Sequence, residues 1–140
     1  MIYVASSWKN ELQPLVVETL REQGFEVYDF RDGDFKFENL QSKTDNLRVP
    51  DLWDLIKNPV AQNHWEEDKA ALDVCDALVV VFPCGNSSHL EAGYVAGRKR
   101  PVIAYMTGLL RPDLTYNVFN AITSQVGAIP QVLRNQGVFS

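Results

Sequence analysis

The sequence predicts an α/β protein, a doubly wound parallel sheet of four to five strands with helices on both faces. Three observations carry this. Apolar runs of strand length alternate along the chain with segments of helical periodicity. One run, ALVVVF at residues 77–82, is uninterrupted, as expected of a strand covered on both faces of a parallel sheet. The composition, 46% hydrophobic and 22% charged over 140 residues, has no repeat, low-complexity run or linker, so residues 1–140 are expected to form a single domain.

The elements follow in order. Residues 2–5 (IYVA) are β-formers and give the first strand; Ser6 and Ser7 turn the chain. Leu12, Leu15, Val16, Thr19 and Leu20 recur at helical spacing, and Pro14 falls in the first turn, where a missing N–H costs no hydrogen bond. Gly24 ends that helix, and FEVYDF at 25–30 alternates as a second strand. Residues 31–50 mix charges, Gly and Pro with Phe35, Phe37 and Leu40, which predicts an ordered loop that covers another part of the molecule. Two helices are expected over about 51–57 and 60–74, separated by Pro59, with Trp53, Ile56, Val60, Trp65, Ala70, Leu72 and Val74 facing a core. The run 77–82, bounded by Asp76 and Pro83, is the expected centre of the sheet. The turn PCGNSS leads to a helix over 89–99, a fourth strand runs from Pro101 through Met106, and helical or irregular segments finish the chain.

Charge and cysteine usage narrow the function classes. The net charge is −5, and the densest basic cluster is Arg98, Lys99 and Arg100, which excludes an extended surface for a nucleic-acid polymer. MIYVASSW lacks the charged and apolar regions of a leader, and no apolar stretch approaches the ~20 residues of a membrane span, so a cytoplasmic protein with no membrane partner is expected. Cys75 and Cys84 lie far from CxxC spacing beside apolar strand patterns, as reduced structural thiols do. His64 and His89 have no metal-ligand spacing, and neither a metal nor a cofactor is implied.

In doubly wound sheets ligands bind beyond the carboxyl ends of the strands, where strand order reverses. That brings together the loops after the first and third strands, with Ser6, Ser7 and Trp8 on one side and Gly85, Asn86, Ser87, Ser88 and Glu91 on the other. Glu91 has two readings. Ser88-His89-Leu90-Glu91 fits the capping box S-x-x-E, in which the glutamate closes its own helix. A carboxylate in a first helical turn is also kept ionised by the macrodipole, and at a ligand crevice it is a usable nucleophile. The serines likewise suit turns and caps as well as ligand contacts. Trp8, Trp53, Trp65, Phe35 and Phe37 can wall a flat pocket, although aromatics at helical spacing also fill cores, and only Trp8 has a positional argument.

Three segments, in order over roughly residues 1–106, resemble the nucleoside 2-deoxyribosyltransferase family: IYVASSW at 2–8, DKAALDVCD at 68–76 and LEAGYVAGRK at 90–99. The resemblance implies a flavodoxin-like sheet and cleavage or transfer at the N-glycosidic bond of a nucleoside or nucleoside 5′-monophosphate. It makes Glu91 the nucleophile, Tyr3 the residue that orients it, Asp68 the acid beside the departing base, and Gly93 a site of close packing. Family members that transfer deoxyribose carry an aspartate about six residues before the nucleophile, where this chain has Gly85. Nucleotide N-hydrolases of the superfamily use serine and backbone N–H groups near this loop for a 5′-phosphate, a role open to Ser87, with Ser6, Ser7 and Lys9 opposite. Members commonly complete their sites across a dimer interface, implying a homo-oligomer to which Asn117 or Tyr116 can contribute. Two other functions use the same crevice. A TIR-like NAD glycohydrolase or cyclase would keep Glu91 in its role; a non-catalytic nucleotide-binding signalling module would use it only as a cap. A flavin-binding protein would need a phosphate loop that the turn after the first strand lacks.

Overall fold

The computed structural model describes residues 1–140. Five parallel strands, β1 (Ile2–Ala5), β2 (Val27–Asp29), β3 (Ala77–Val81), β4 (Val102–Tyr105) and β5 (Ala121–Thr123), form one sheet in the order β2-β1-β3-β4-β5. This is the flavodoxin-type order, with its switch point between β1 and β3. Every residue of β1, β3 and β4 is buried.

The pleat of β3 explains its uninterrupted apolar run. Ala77, Val79 and Val81 point into a core shared with α1 (Gln13–Glu22) and α5 (Ile129–Asn135). Leu78 and Val80 point the other way, toward α3 (Pro59–Val74) and α4 (Asn86–Gly97). Alternate side chains thus enter opposite layers, and neither face can be polar.

Gly24, at φ +86°, ends α1 as the spacing predicts: its N–H bonds to the Arg21 carbonyl, and the Phe25 N–H reaches back to the Leu20 carbonyl at 3.1 Å. The buried face of that helix is Gln13, Val16, Val17 and Leu20, while Leu15, expected inside, is exposed. β2 is shorter than the predicted 25–30. The Asp29 carboxylate accepts the Arg31 N–H at 2.9 Å and turns Phe30–Gly33 into a 3₁₀ helix.

The larger correction concerns α2 (Val49–Ile56) and α3. Of the seven residues expected to face a core, only Leu72 is buried; Trp53, Ile56, Val60, Trp65, Ala70 and Val74 are exposed. α2 lies outboard against α3, so the sheet never meets its apolar face. α3 turns its small residues Ala61 and Ala71, with Leu72, to the interior. Pro59 opens α3 at its first turn, capped by the Asn58 side chain, which accepts the Val60 N–H at 2.9 Å. No helix is long and apolar enough to cross a membrane.

Candidate active site

The crevice is built first from backbone ties. Asn10, almost fully buried, donates from Nδ2 to the Val81 and Pro83 carbonyls at 3.1 and 3.0 Å. Its Oδ1 accepts the Leu12 and Gln13 N–H groups at 2.7 and 3.1 Å. One amide therefore fixes the loop after β1 to the loop after β3 and also starts α1. Arg31 adds two bonds from beneath, to the Ser7 and Asn10 carbonyls at 2.9 and 2.8 Å. Neither residue was singled out from the sequence; a lone Asn after a strand has no pattern to mark it.

α4 begins at Asn86, three residues before the predicted start, with Gly85 as its cap and no side-chain capping bond. This overturns the capping-box reading. Ser88 lies inside the first turn, its hydroxyl buried without a hydrogen-bond partner. Glu91 is the sixth residue of the helix, too far along to close it, and its Oε2 accepts the Tyr3 hydroxyl. The expectation that the macrodipole keeps Glu91 ionised fails for the same reason, since that field fades within the first turn. Burial dominates instead and lifts the carboxyl to about 7, against the Tyr3 bond and with the negative charge of Asp68 adding to the rise. Gly93 also departs from expectation, because a side chain there would meet open space.

Tyr3 is fully buried and keeps its proton: burial, then the neighbouring Glu91 and Asp68 charges, push its phenol well above the usual range. Its ring stacks on Tyr28, its in-register neighbour on β2, with centroids 5.1 Å apart and planes at 21°. The Tyr28 hydroxyl donates to Asp68 Oδ1 at 2.7 Å. Asp68 thus leaves the solvated run around it, half-buried while Glu66 and Lys69 stay exposed. Burial raises its carboxyl above the ordinary value, the Tyr28 bond pulls it back, Glu67 raises it and His64 lowers it. Two tyrosines on adjacent strands thereby hold two carboxylates from two helices.

Glu91 and Asp68 both line a cavity of about 850 Å³. Ser6, Ser7, Trp8 and Lys9 line it from the β1 side, and Gly85, Asn86, Ser87 and Ser88 from the β3 side, so the sequence-predicted residues converge. The loop after β2 covers it, as expected: Phe35 stacks on His64 with centroids 4.6 Å apart and meets Phe37 edge-on at 5.2 Å. Trp8 stands edge-on to Phe30, with Lys36 Nζ 4.7 Å from the centre of its ring. Trp65 is a wall residue; Trp53 is not, lying on the outer side of α2.

His89 faces elsewhere. Its Nδ1 lies 2.7 Å from the Gly85 carbonyl oxygen, and its ring stacks on Tyr116 beside Phe82. Tyr116 packs in that cluster within its own chain, and Asn117 is exposed, donating to the Leu114 carbonyl at 2.7 Å. Both cysteines are free; burial lifts the Cys84 thiol to about 11 and raises Cys75, which leaves both protonated at neutral pH.

No protein-family model matches the sequence, and no curated protein matches it. Among solved structures, the chain is similar to the 2-deoxyribosyltransferase of Bacillus psychrosaccharolyticus, with a TM-score of 0.64 and 17% identity over 91% of this chain and 88% of that one. It is also similar to the CMP N-glycosidase of Clostridium botulinum, with a TM-score of 0.52 and 17% identity over 95% and 97% of the two chains. At this identity the likeness establishes a shared fold.

Proposed function

We propose that the chain is a nucleoside 2-deoxyribosyltransferase-like enzyme that cleaves, or transfers at, the N-glycosidic bond of a nucleoside or nucleoside 5′-monophosphate. The observation that carries this reading is Glu91, a half-buried carboxyl poised near neutrality, held by Tyr3 rather than by its own helix, and facing an aromatic-walled cavity with a second carboxyl, Asp68. The shared fold with a 2-deoxyribosyltransferase and a CMP N-glycosidase supports it.

In this mechanism a Glu91 oxygen attacks C1′ as the bond to the base breaks, stabilising the oxocarbenium-like charge and then trapping it as a glycosyl ester. The productive state is the one in which Glu91 is the ionised member of the carboxyl pair and Asp68 carries the proton; the bonding pair leaves with the base nitrogen, which takes that proton. Water then attacks C1′, releasing the Glu91 carboxylate and giving its proton to Asp68, or a second base attacks in its place and loses its proton the same way. Tyr3 donates to Glu91 throughout; its raised pKa makes it an orienting donor and not a base.

The start of α4 suits a 5′-phosphate. Its first N–H groups have no side-chain cap, and the buried Ser88 hydroxyl and Ser87 line the same end of the cavity, with Ser6, Ser7 and Lys9 across from them. We further propose a homo-oligomer, supported by the outward apolar stripe of α2, Val49, Leu52, Trp53 and Ile56.

The test is base release from nucleosides, their 5′-monophosphates and NAD, with and without a second free base. Glu91→Gln and Glu91→Ala are each expected to lose about 10³-fold or more in rate while remaining folded. Turnover of NAD alone would assign the TIR-like chemistry instead. Ligand binding without turnover of any compound would make this a binding module.

A further inference from the structure

We propose that Tyr28 is a positioning residue for the acid: its hydroxyl, on a ring clamped against Tyr3, holds Asp68 by Oδ1 and leaves Oδ2 to deliver the proton to the departing base. This rests on the N-glycosidase reading above.

The geometry ties both carboxyls to the sheet. Tyr3 and Tyr28 are register partners of β1 and β2, so their side chains leave the same face and stack. One hydroxyl reaches Glu91 on α4 and the other reaches Asp68 on α3. A shift of either helix would move its carboxyl against a fixed phenol, so the two carboxyls are set by one rigid pair of rings.

The chemistry follows from which oxygen is engaged. A protonated carboxyl has one hydroxyl oxygen and one carbonyl oxygen, and the carbonyl oxygen is the better acceptor for a phenol O–H. With Tyr28 donating to Oδ1, the acid proton belongs on Oδ2, which makes no hydrogen bond within the protein and belongs to a cavity-lining residue. As the C1′–N bond breaks, its electron pair goes to the base nitrogen, the Oδ2 proton follows, and Asp68 becomes a carboxylate. Tyr28 keeps its own proton, since burial and the neighbouring Asp68, Glu67 and Glu91 raise its phenol above the ordinary range. Its bond to Oδ1 becomes charge-assisted as Asp68 ionises. An interaction that strengthens toward the transition state raises kcat and leaves ground-state binding nearly unchanged.

Tyr28→Phe keeps the ring and removes only the O–H. The experiment compares it with the wild type on two substrates carrying the same sugar, one with the natural base and one with 4-nitrophenol, which departs as a stable anion without a proton. On the base substrate kcat is expected to fall about 10-fold with KM within about 2-fold, and on the nitrophenyl glycoside the rate is expected to stay within about 2-fold. Asp68→Asn should show the same split, larger, at about 100-fold. The ratio of the two rates in one sample is independent of the folded fraction. Equal losses on both substrates, or an undiminished rate on the base substrate, would overturn the proposal while Glu91→Gln still abolished both reactions. If Glu91→Gln retained both, the N-glycosidase reading itself would fall, and the role of Tyr28 with it.

Discussion

Two apolar segments of this chain meet opposite fates. Residues 77–82 run through the middle of the sheet, and every side chain of β3 is shielded from water. Residues 49–60 place Val49, Leu52, Trp53, Ile56 and Val60 at solvent. Both segments are rich in large apolar residues, so hydrophobicity does not separate them. Position in the topology does, because a central parallel strand receives a helical layer on each face, whereas α2 is attached to the fold through α3. An apolar stripe states that a partner is needed; the connection order decides whether the chain supplies it.

The sharpest test of that contrast pairs Leu78 with Trp53. Leu78→Ala removes a fully buried side chain from the α3–α4 layer and is expected to lower stability by about 2–5 kcal/mol, read from urea unfolding. Trp53→Ser, by contrast, is expected to change the folding stability of the monomer by less than about 0.5 kcal/mol. Similar losses at both sites would mean that α2 is part of the folding core.

The crevice lies between these extremes, because there burial opposes function. Glu91 is lifted from an ordinary 4.5 to about 7 in the folded chain. A carboxyl with a raised folded-state value favours folding while protonated. Its contribution is intact below the unfolded value of 4.5 and is lost as pH rises through about 7. Glu91→Gln removes that loss, so the variant is expected to be more stable than the wild type by roughly 3 kcal/mol at pH 8 and equal to it at pH 4. Thermal melts at the two pH values test this. Activity should move oppositely, since an attacking Glu91 must be ionised: base release is expected to fall below about pH 7.

What could be read from the sequence follows from the same distinction. Strand runs at 2–5, 25–30, 77–82 and 101–106 and the helix punctuation at Pro14 and Gly24 are local signals, and they mark four of the five strands; β5, only three residues long, falls in the stretch read as helical or irregular. Convergence of Ser6, Ser7, Trp8, residues 85–88 and Glu91 followed from the topology. Asp68 and Tyr3 came from the resemblance; the structure places Asp68 in the cavity wall and Tyr3 buried behind it, bonded to Glu91. Tyr28 was missed although it sits in the second strand, because only the register Tyr3↔Tyr28 reveals that it stacks beside the orienting tyrosine. The first turn of α4 was misplaced because S-x-x-E at 88–91 matches a cap, while the true cap, Gly85, offers no side chain to recognise.

Asn10 secures the two crevice loops through four hydrogen bonds. Asn10→Ala strips partners from the Leu12 and Gln13 N–H groups and from the Val81 and Pro83 carbonyls at once. Unsatisfied buried groups cost about 1–3 kcal/mol, and that is the expected loss of stability. An aspartate side chain has a similar shape and would still accept from the two N–H groups, but it could not donate to the carbonyls, so Asn10→Asp is expected to recover only part of that loss. Full recovery would show that the tie between the two loops is dispensable and that the helix start is all that Asn10 secures.

The smallest energetic effect carries the clearest readout of α2. Trp53 is about half exposed, with Lys57 Nζ 4.6 Å from the centre of its ring, a contact that shields one side of the indole and leaves Leu52 and Ile56 on the same face open. Trp53→Glu places a charge in the middle of that stripe at little cost to the monomer, since the site is already at water. If a second copy covers the stripe, light scattering at tens of micromolar should give the mass of an assembly for the wild type and of a single chain for the variant. A wild type that is monomeric throughout, or a variant that assembles equally well, would assign the stripe to something other than self-association. Either result is independent of Glu91, because the stripe and the carboxyl pair lie on different elements and can fail separately.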